Sequence, residues 1–82
     1  NIEVISNKKA NGDNEIGAPL QGKLTQILVK AGEKVTKNQP LFLIEAMKME
    51  STIVAPHEGK VLEVVLAENQ MVQQDDLVIV LG

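Results

Sequence analysis

Ala18-Pro19-Leu20-Gln21-Gly22-Lys23-Leu24 recurs 37 residues later as Ala55-Pro56-His57-Glu58-Gly59-Lys60-Val61. At the same shift Ile27-Leu28-Val29 falls on Val64-Val65-Leu66, Gly32 on Asn69 and Val35 on Val72. From residue 18 to 35, five of eighteen positions are identical, where chance gives about one. Gly opposite Asn adds weight, because both residue types reach the left-handed turn region. Beyond Val35 the alignment takes one deletion. The shift becomes 36 there, and Leu41-Phe42-Leu43-Ile44 is expected on Leu77-Val78-Ile79-Val80.

Within each copy the pattern is β. Short runs of Val, Ile and Leu alternate with Gly, Pro, Asn and Asp, and no stretch carries a helical period. Leu24 to Val29 is one run, Lys30 to Lys34 a turn with Gly32 available for positive φ, and Val35 a very short strand closed by Lys37 to Pro40. Leu41 to Ile44 is apolar throughout, as in a strand with little solvent on either face. One copy is too small to bury its apolar face. Two similar units packed face to face would form an all-β flattened barrel or sandwich of about eight strands, with pseudo-two-fold symmetry and few free edges.

The hinge between the copies is Glu45-Ala46-Met47-Lys48-Met49. A tight turn is expected here, yet no Gly or Asn-Gly lies between Ile44 and Ile53. Two-residue hairpins use such residues because their turns need positive φ. Met47 and Lys48 in that conformation would each cost about 1–3 kcal/mol; a wider loop without strain is the alternative. A break in turn chemistry within an otherwise consistent sequence marks a candidate functional site. Lysine amines are almost wholly protonated at neutral pH, and catalytic lysines are activated by burial or a neighbouring cation. A hairpin tip flanked by Glu45 and Glu50 offers neither. Lys48 is therefore read as an attachment point, needing an activated acyl donor, and not as a catalyst.

Composition narrows the alternatives. The chain has 82 residues, a net charge of -3 and no Cys, with His57 its only His. Disulfides are excluded, a reduced cytoplasm is compatible, and a Cys/His zinc site cannot form. Eight Lys form no basic stripe and Phe42 is the only aromatic, which argues against nucleic-acid binding. No apolar run reaches the length of a membrane span, and there is no signal-peptide pattern. Residues 1–15 have linker composition, with Ile2, Val4 and Ile5 as the possible end of an upstream element. The chain starts at Asn1 without Met and is expected to be part of a longer polypeptide, so residues 1–15 read as tether and 16–82 as the folded domain.

Glu45-Ala46-Met47-Lys48-Met49 resembles the biotinylation motif of biotin carboxyl carrier domains. The resemblance runs from Ile16 to Gly82 and includes Gly22, Ala55-Pro56 and Gly59. It implies a barrel-sandwich hybrid of two four-stranded antiparallel sheets, with Lys48 on a hairpin tip as the site of a covalent biotin amide. Met47 and Met49 match the flanking methionines, and Glu45 and Ala46 complete the motif. The implied partners are a biotin protein ligase, which acts through biotinyl-adenylate, and the biotin carboxylase and carboxyltransferase domains of a parent enzyme. The implied role is a non-catalytic, monomeric carrier that shuttles carboxybiotin between those sites.

Ile16-Gly17-Ala18-Pro19 followed by Leu20-Gln21-Gly22 is most similar to the C-terminal carrier domains of pyruvate carboxylases. Carriers of acyl-CoA carboxylases, transcarboxylase and biotin-dependent decarboxylases are alternatives. The bacterial acetyl-CoA carboxylase type, with its inserted thumb, is disfavoured because only twelve residues separate Gly22 from Val35. Lipoyl domains share the fold, but their lysine usually follows Asp and precedes Ala. Membrane-fusion adaptor modules carry long helical flanks. His57 with Ser51 or Glu58 forms no credible catalytic triad, and His57 is expected on the surface.

Overall fold

The computed structural model describes residues 7–82; Ile2, Val4 and Ile5 lie outside the described residues. Eight strands follow in order: β1 Glu15–Gly17, β2 Gly22–Ile27, β3 Lys34–Val35, β4 Pro40–Ala46, β5 Met49–Val54, β6 Gly59–Val64, β7 Gln70–Val72 and β8 Leu77–Leu81. They form two antiparallel four-stranded sheets, β1-β8-β6-β3 and β5-β4-β2-β7. The molecule measures 42 × 28 × 19 Å.

The repeat is written into the topology, though not as two units laid face to face. Each copy supplies a central antiparallel pair, β2–β4 or β6–β8, and sends its other two strands to the edges of the other copy's sheet. The repeats interleave, and neither has a complete sheet of its own. The physical reason is length: two-residue β3 and three-residue β1 are too short to stand alone and serve only as edges on a longer pair.

The repeat register is 37 throughout, which corrects the expected deletion. Lys23 pairs with Glu45 and Leu24 with Ile44, while Lys60 exchanges backbone hydrogen bonds with Gly82 and Val61 pairs with Leu81. Leu41-Phe42-Leu43-Ile44 therefore corresponds to Val78-Ile79-Val80-Leu81. Burial agrees, because both quartets read buried, buried, half-buried, buried. Asn38 and Asp75 both have φ 70°, and Gly32 (93°) corresponds to Asn69 (69°). Both central ladders carry an irregularity at the same place, between Leu24 and Gln26 and between Val61 and Glu63.

The core lies between the sheets. Leu24, Leu41, Phe42, Ile44, Val61, Val78, Ile79 and Leu81 are all within 1% of complete burial. Phe42 and Ile79 are repeat counterparts on the two central pairs, so the core has the same near-symmetry as the sheets. No buried side-chain polar atom lacks a partner among the described residues.

β1 begins at Glu15, the last residue of the segment expected as tether, and residues 7–11 make defined contacts. Ala10 donates its N–H to Asp75 O at 2.8 Å, and Leu77 donates to Lys8 O at 2.7 Å. Asp76, 3% exposed, accepts from Lys9 Nζ, from Asn7 Nδ2 at 2.9 Å and from the Gln73 N–H at 2.8 Å. Burial alone would raise the Asp76 pKa. The hydrogen bonds from Lys9, Asn7 and Gln73, with the Lys9 charge, outweigh it and hold the carboxyl below its ordinary value.

Candidate functional site

β4 and β5 pair without interruption from Phe42–Ile53 to Ala46–Met49, leaving Met47 and Lys48 as a two-residue turn. Both have positive φ, 53° and 65°, as a type I′ turn requires, because only a primed turn matches the twist of the strands it joins. The structure thus adopts the tight turn in spite of its residues. Each non-Gly residue there carries a steric penalty of about 1–2 kcal/mol. The long β4–β5 ladder holds the turn in place.

The turn projects into solvent. Met47 is 93% exposed and Met49 73%. Lys48 is exposed and takes part in no ion pair or side-chain hydrogen bond among the described residues. Glu45 and Glu50 stand directly opposite each other one pair below the tip, a like-charge arrangement that costs stability unless other contacts relieve it. Thr25 donates its hydroxyl to Glu50 Oε2 at 3.2 Å, which draws Glu50 toward one side. Ala46 is half-buried. The five sequence-predicted residues are therefore contiguous on one hairpin, with an unencumbered primary amine at its apex. Among the described residues that amine has no side-chain hydrogen-bond or ion-pair partner.

Three residues outside the motif support the hairpin. Gly22 lies under β4, where a Cβ would come within 2.5 Å of Glu45 O. Lys23 pairs with Glu45 on one side and Met71 on the other. The repeat alignment already held the signal for Met71, because its counterpart is Lys34, a change of class between equivalent positions. The expectation of a surface His57 meets a half-buried ring whose Nδ1 lies 2.7 Å from Glu58 O and whose Nε2 lies 3.2 Å from Asp13 O.

Comparison with known proteins places these features in context. The family described as biotin-requiring enzymes, which takes in biotinyl and lipoyl domains, matches residues 14–81. Mitochondrial pyruvate carboxylase of Homo sapiens is 45% identical over 65 residues, covering 79% of this chain and 6% of that protein. Pyruvate carboxylase of Staphylococcus aureus is 39% identical over 83 residues, covering 96% of this chain and 7% of that protein. Among solved structures, the urea carboxylase of Kluyveromyces lactis matches the whole chain at a TM-score of 0.79 and 26% identity, over 7% of its own length. The lipoyl domain of the 2-oxoglutarate dehydrogenase complex of Azotobacter vinelandii matches 83% of this chain and 94% of its own, at a TM-score of 0.72 and 26% identity. The chain thus spans a small fraction of the carboxylases it matches and nearly all of a lipoyl domain.

Proposed function

The chain belongs to the family of biotin-requiring enzymes, and from that premise we propose that it is the biotin carboxyl carrier domain of a carboxylase, of the pyruvate carboxylase type, with biotin in amide linkage to Lys48. The observation that carries the reading is the solvent-exposed amine of Lys48 at the apex of a two-residue turn, between two exposed methionines. Relatives at 39% and 45% identity named as pyruvate carboxylases support the parent enzyme. A methylcrotonoyl-CoA carboxylase subunit of Dictyostelium discoideum, 38% identical over 76 residues, keeps the acyl-CoA carboxylases as the second reading.

Biotin, when bound, supplies a nitrogen that carries a carboxyl group from a biotin carboxylase site to a carboxyltransferase site. The chain's own contribution is presentation. The β4–β5 ladder fixes where Lys48 emerges, and Met47 and Met49 give a ligase an apolar, adaptable surface on either side. Acylation removes the Lys48 charge, so the net charge goes from -3 to -4, one positive charge fewer. The arm then enters apolar-walled sites without desolvating an ammonium. Tethering to the parent enzyme holds the arm at high effective concentration near both sites. The domain is a monomeric, non-catalytic carrier working in the compartment of its parent enzyme, the cytoplasm in our reading. Among the described residues no helix is long and apolar enough to cross a membrane.

Co-expression with a biotin protein ligase followed by intact-mass analysis tests this. One biotin is expected on the chain and none on Lys48→Arg. Biotin on another residue, or lipoate at Lys48, would overturn the assignment.

A further inference from the structure

The 37-residue symmetry supplies an internal control for the hairpin end. A groove of about 520 Å³ lies beside the hairpin, lined by Leu20, Gly22, Ala46, Met47 and Met71 together with the polar Gln21, Lys23 and Glu45. Its counterpart, about 450 Å³, is lined by Lys34, Val35, Glu58, Gly59, Lys60 and Gly82 among others. The two share their backbone plan. Gly22 corresponds to Gly59, Lys23 to Lys60, and each pairs with an equivalent strand on either side.

Their side chains differ at four corresponding positions, one of them Gln21, which corresponds to Glu58. Met71, 64% exposed, corresponds to Lys34, and Leu20 corresponds to His57, whose ring faces the carbonyls of Glu58 and Asp13. Glu45 corresponds to Gly82, which has no side chain. The fold makes the same demands at both ends, so it does not account for an exposed Met71, or for a carboxylate directly opposite the central lysine, at one end alone.

Resting on the biotin reading above, we infer that the groove beside the hairpin is the resting site of the biotinyl group on Lys48 when that group is outside a partner's site. Three features match this occupant. Met47, one wall of the groove, is the immediate neighbour of Lys48. Leu20, Met47 and Met71 offer apolar surface to the acyl chain and the thioether ring. Lys23 and Glu45 are direct cross-strand partners, so both project from the same face of the sheet. Neither side chain has an ion pair or side-chain hydrogen bond among the described residues. A ureido head group presents a carbonyl acceptor beside N–H donors. An ammonium next to a carboxylate complements that edge, Lys23 donating to the carbonyl and Glu45 accepting from an N–H. At the other end Lys60 stands between Lys34 and Gly82, with no carboxylate among its cross-strand partners; the carboxylate of that groove, Glu58, comes two residues earlier in the chain.

The test is methyl-detected NMR on the full chain, labelled at Met and Leu methyls, with loading of Lys48 first verified by intact mass. Nuclear Overhauser contacts are expected from the biotin ring to the methyls of Met71 and Leu20. The loading-induced shift at the Met71 methyl should match that at Met47 and exceed that at exposed Leu62. Met71→Lys, which installs the residue of the counterpart position, should abolish the contacts while the amide spectrum keeps its dispersion. Glu45→Gln should weaken them. A loaded chain with no contact beyond Met47 and Met49 would overturn this inference and leave the carrier reading intact. So would contacts that arise only when biotin carboxylase is added, since the groove would then belong to a partner. A chain that takes no biotin at Lys48 would remove the carrier reading and this inference with it.

Discussion

Gly22 and Glu45 approach so closely across the β2–β4 ladder that a Cβ on Gly22 would stand 2.5 Å from Glu45 O and 2.9 Å from Ile44 Cγ2. Its counterpart Gly59 has more room, with Gly82 O at 3.2 Å from the same hypothetical atom. Gly22→Ala must push β4 outward just below the hairpin and is expected to cost about 2–3 kcal/mol, the scale of overpacking a tight site. Gly59→Ala should cost less than about 1 kcal/mol, since a small shift restores ordinary contact. Chemical denaturation of the two variants side by side checks the asymmetry.

Met47 and Lys48 hold positive φ without a glycine. Met47→Gly relieves the steric term and is expected to raise stability by about 0.5–1 kcal/mol, less than the full penalty because Gly also loses more backbone freedom on folding. The same variant removes an exposed apolar flank of Lys48, so ligase-catalysed biotinylation should slow. A thermal melt together with a biotinylation time course would show stability and modification moving in opposite directions.

Asp76 has a folded-state pKa lower than its ordinary value. Its contribution is therefore complete above the unfolded-state value of about 3.9 and is lost as pH falls through the folded value. Stability measured from pH 6 down to about pH 2 should drop below about pH 4. Asp76→Asn should lower stability at neutral pH and flatten that decline, because one amide oxygen cannot accept from Lys9, Asn7 and the Gln73 N–H together. Amide exchange at Ala10 and Leu77, which hydrogen-bond across this joint, should accelerate in the variant.

Phe42 is the only aromatic residue and is fully buried between the sheets. Phe42→Ala is expected to cost about 3–5 kcal/mol, a large share of the stability available to a domain of this size. The measurable result is a chain unfolded, or nearly so, at 37 °C by circular dichroism.

The local β pattern was legible in the residues, and so were the repeat and the turn at Met47 and Lys48. The motif residues occupy one hairpin, as expected. What the sequence concealed was non-local. Leu77 to Leu81 is buried on both faces, so it has no alternation to pin its register, and a one-residue deletion looked as acceptable as none. The exchange of β1, β3, β5 and β7 between sheets depends on which distant strand offers a partner. Lys23, Glu45 and Met71 come into line only once β2 has paired with both β4 and β7.

The interleaving of the copies has an architectural meaning. Every ladder would survive if the chain were two half-length chains related by a rotation axis, each lending its outer strands to the other. In such an assembly the only join not required by the ladders is the one from Ala46 to Met49. Lys48 sits on that seam, so its surroundings answer to whatever engages the turn and hardly to the assembly of the sheets. Freedom from structural duty explains how a lysine between two methionines came to occupy a position where hairpins ordinarily need glycine.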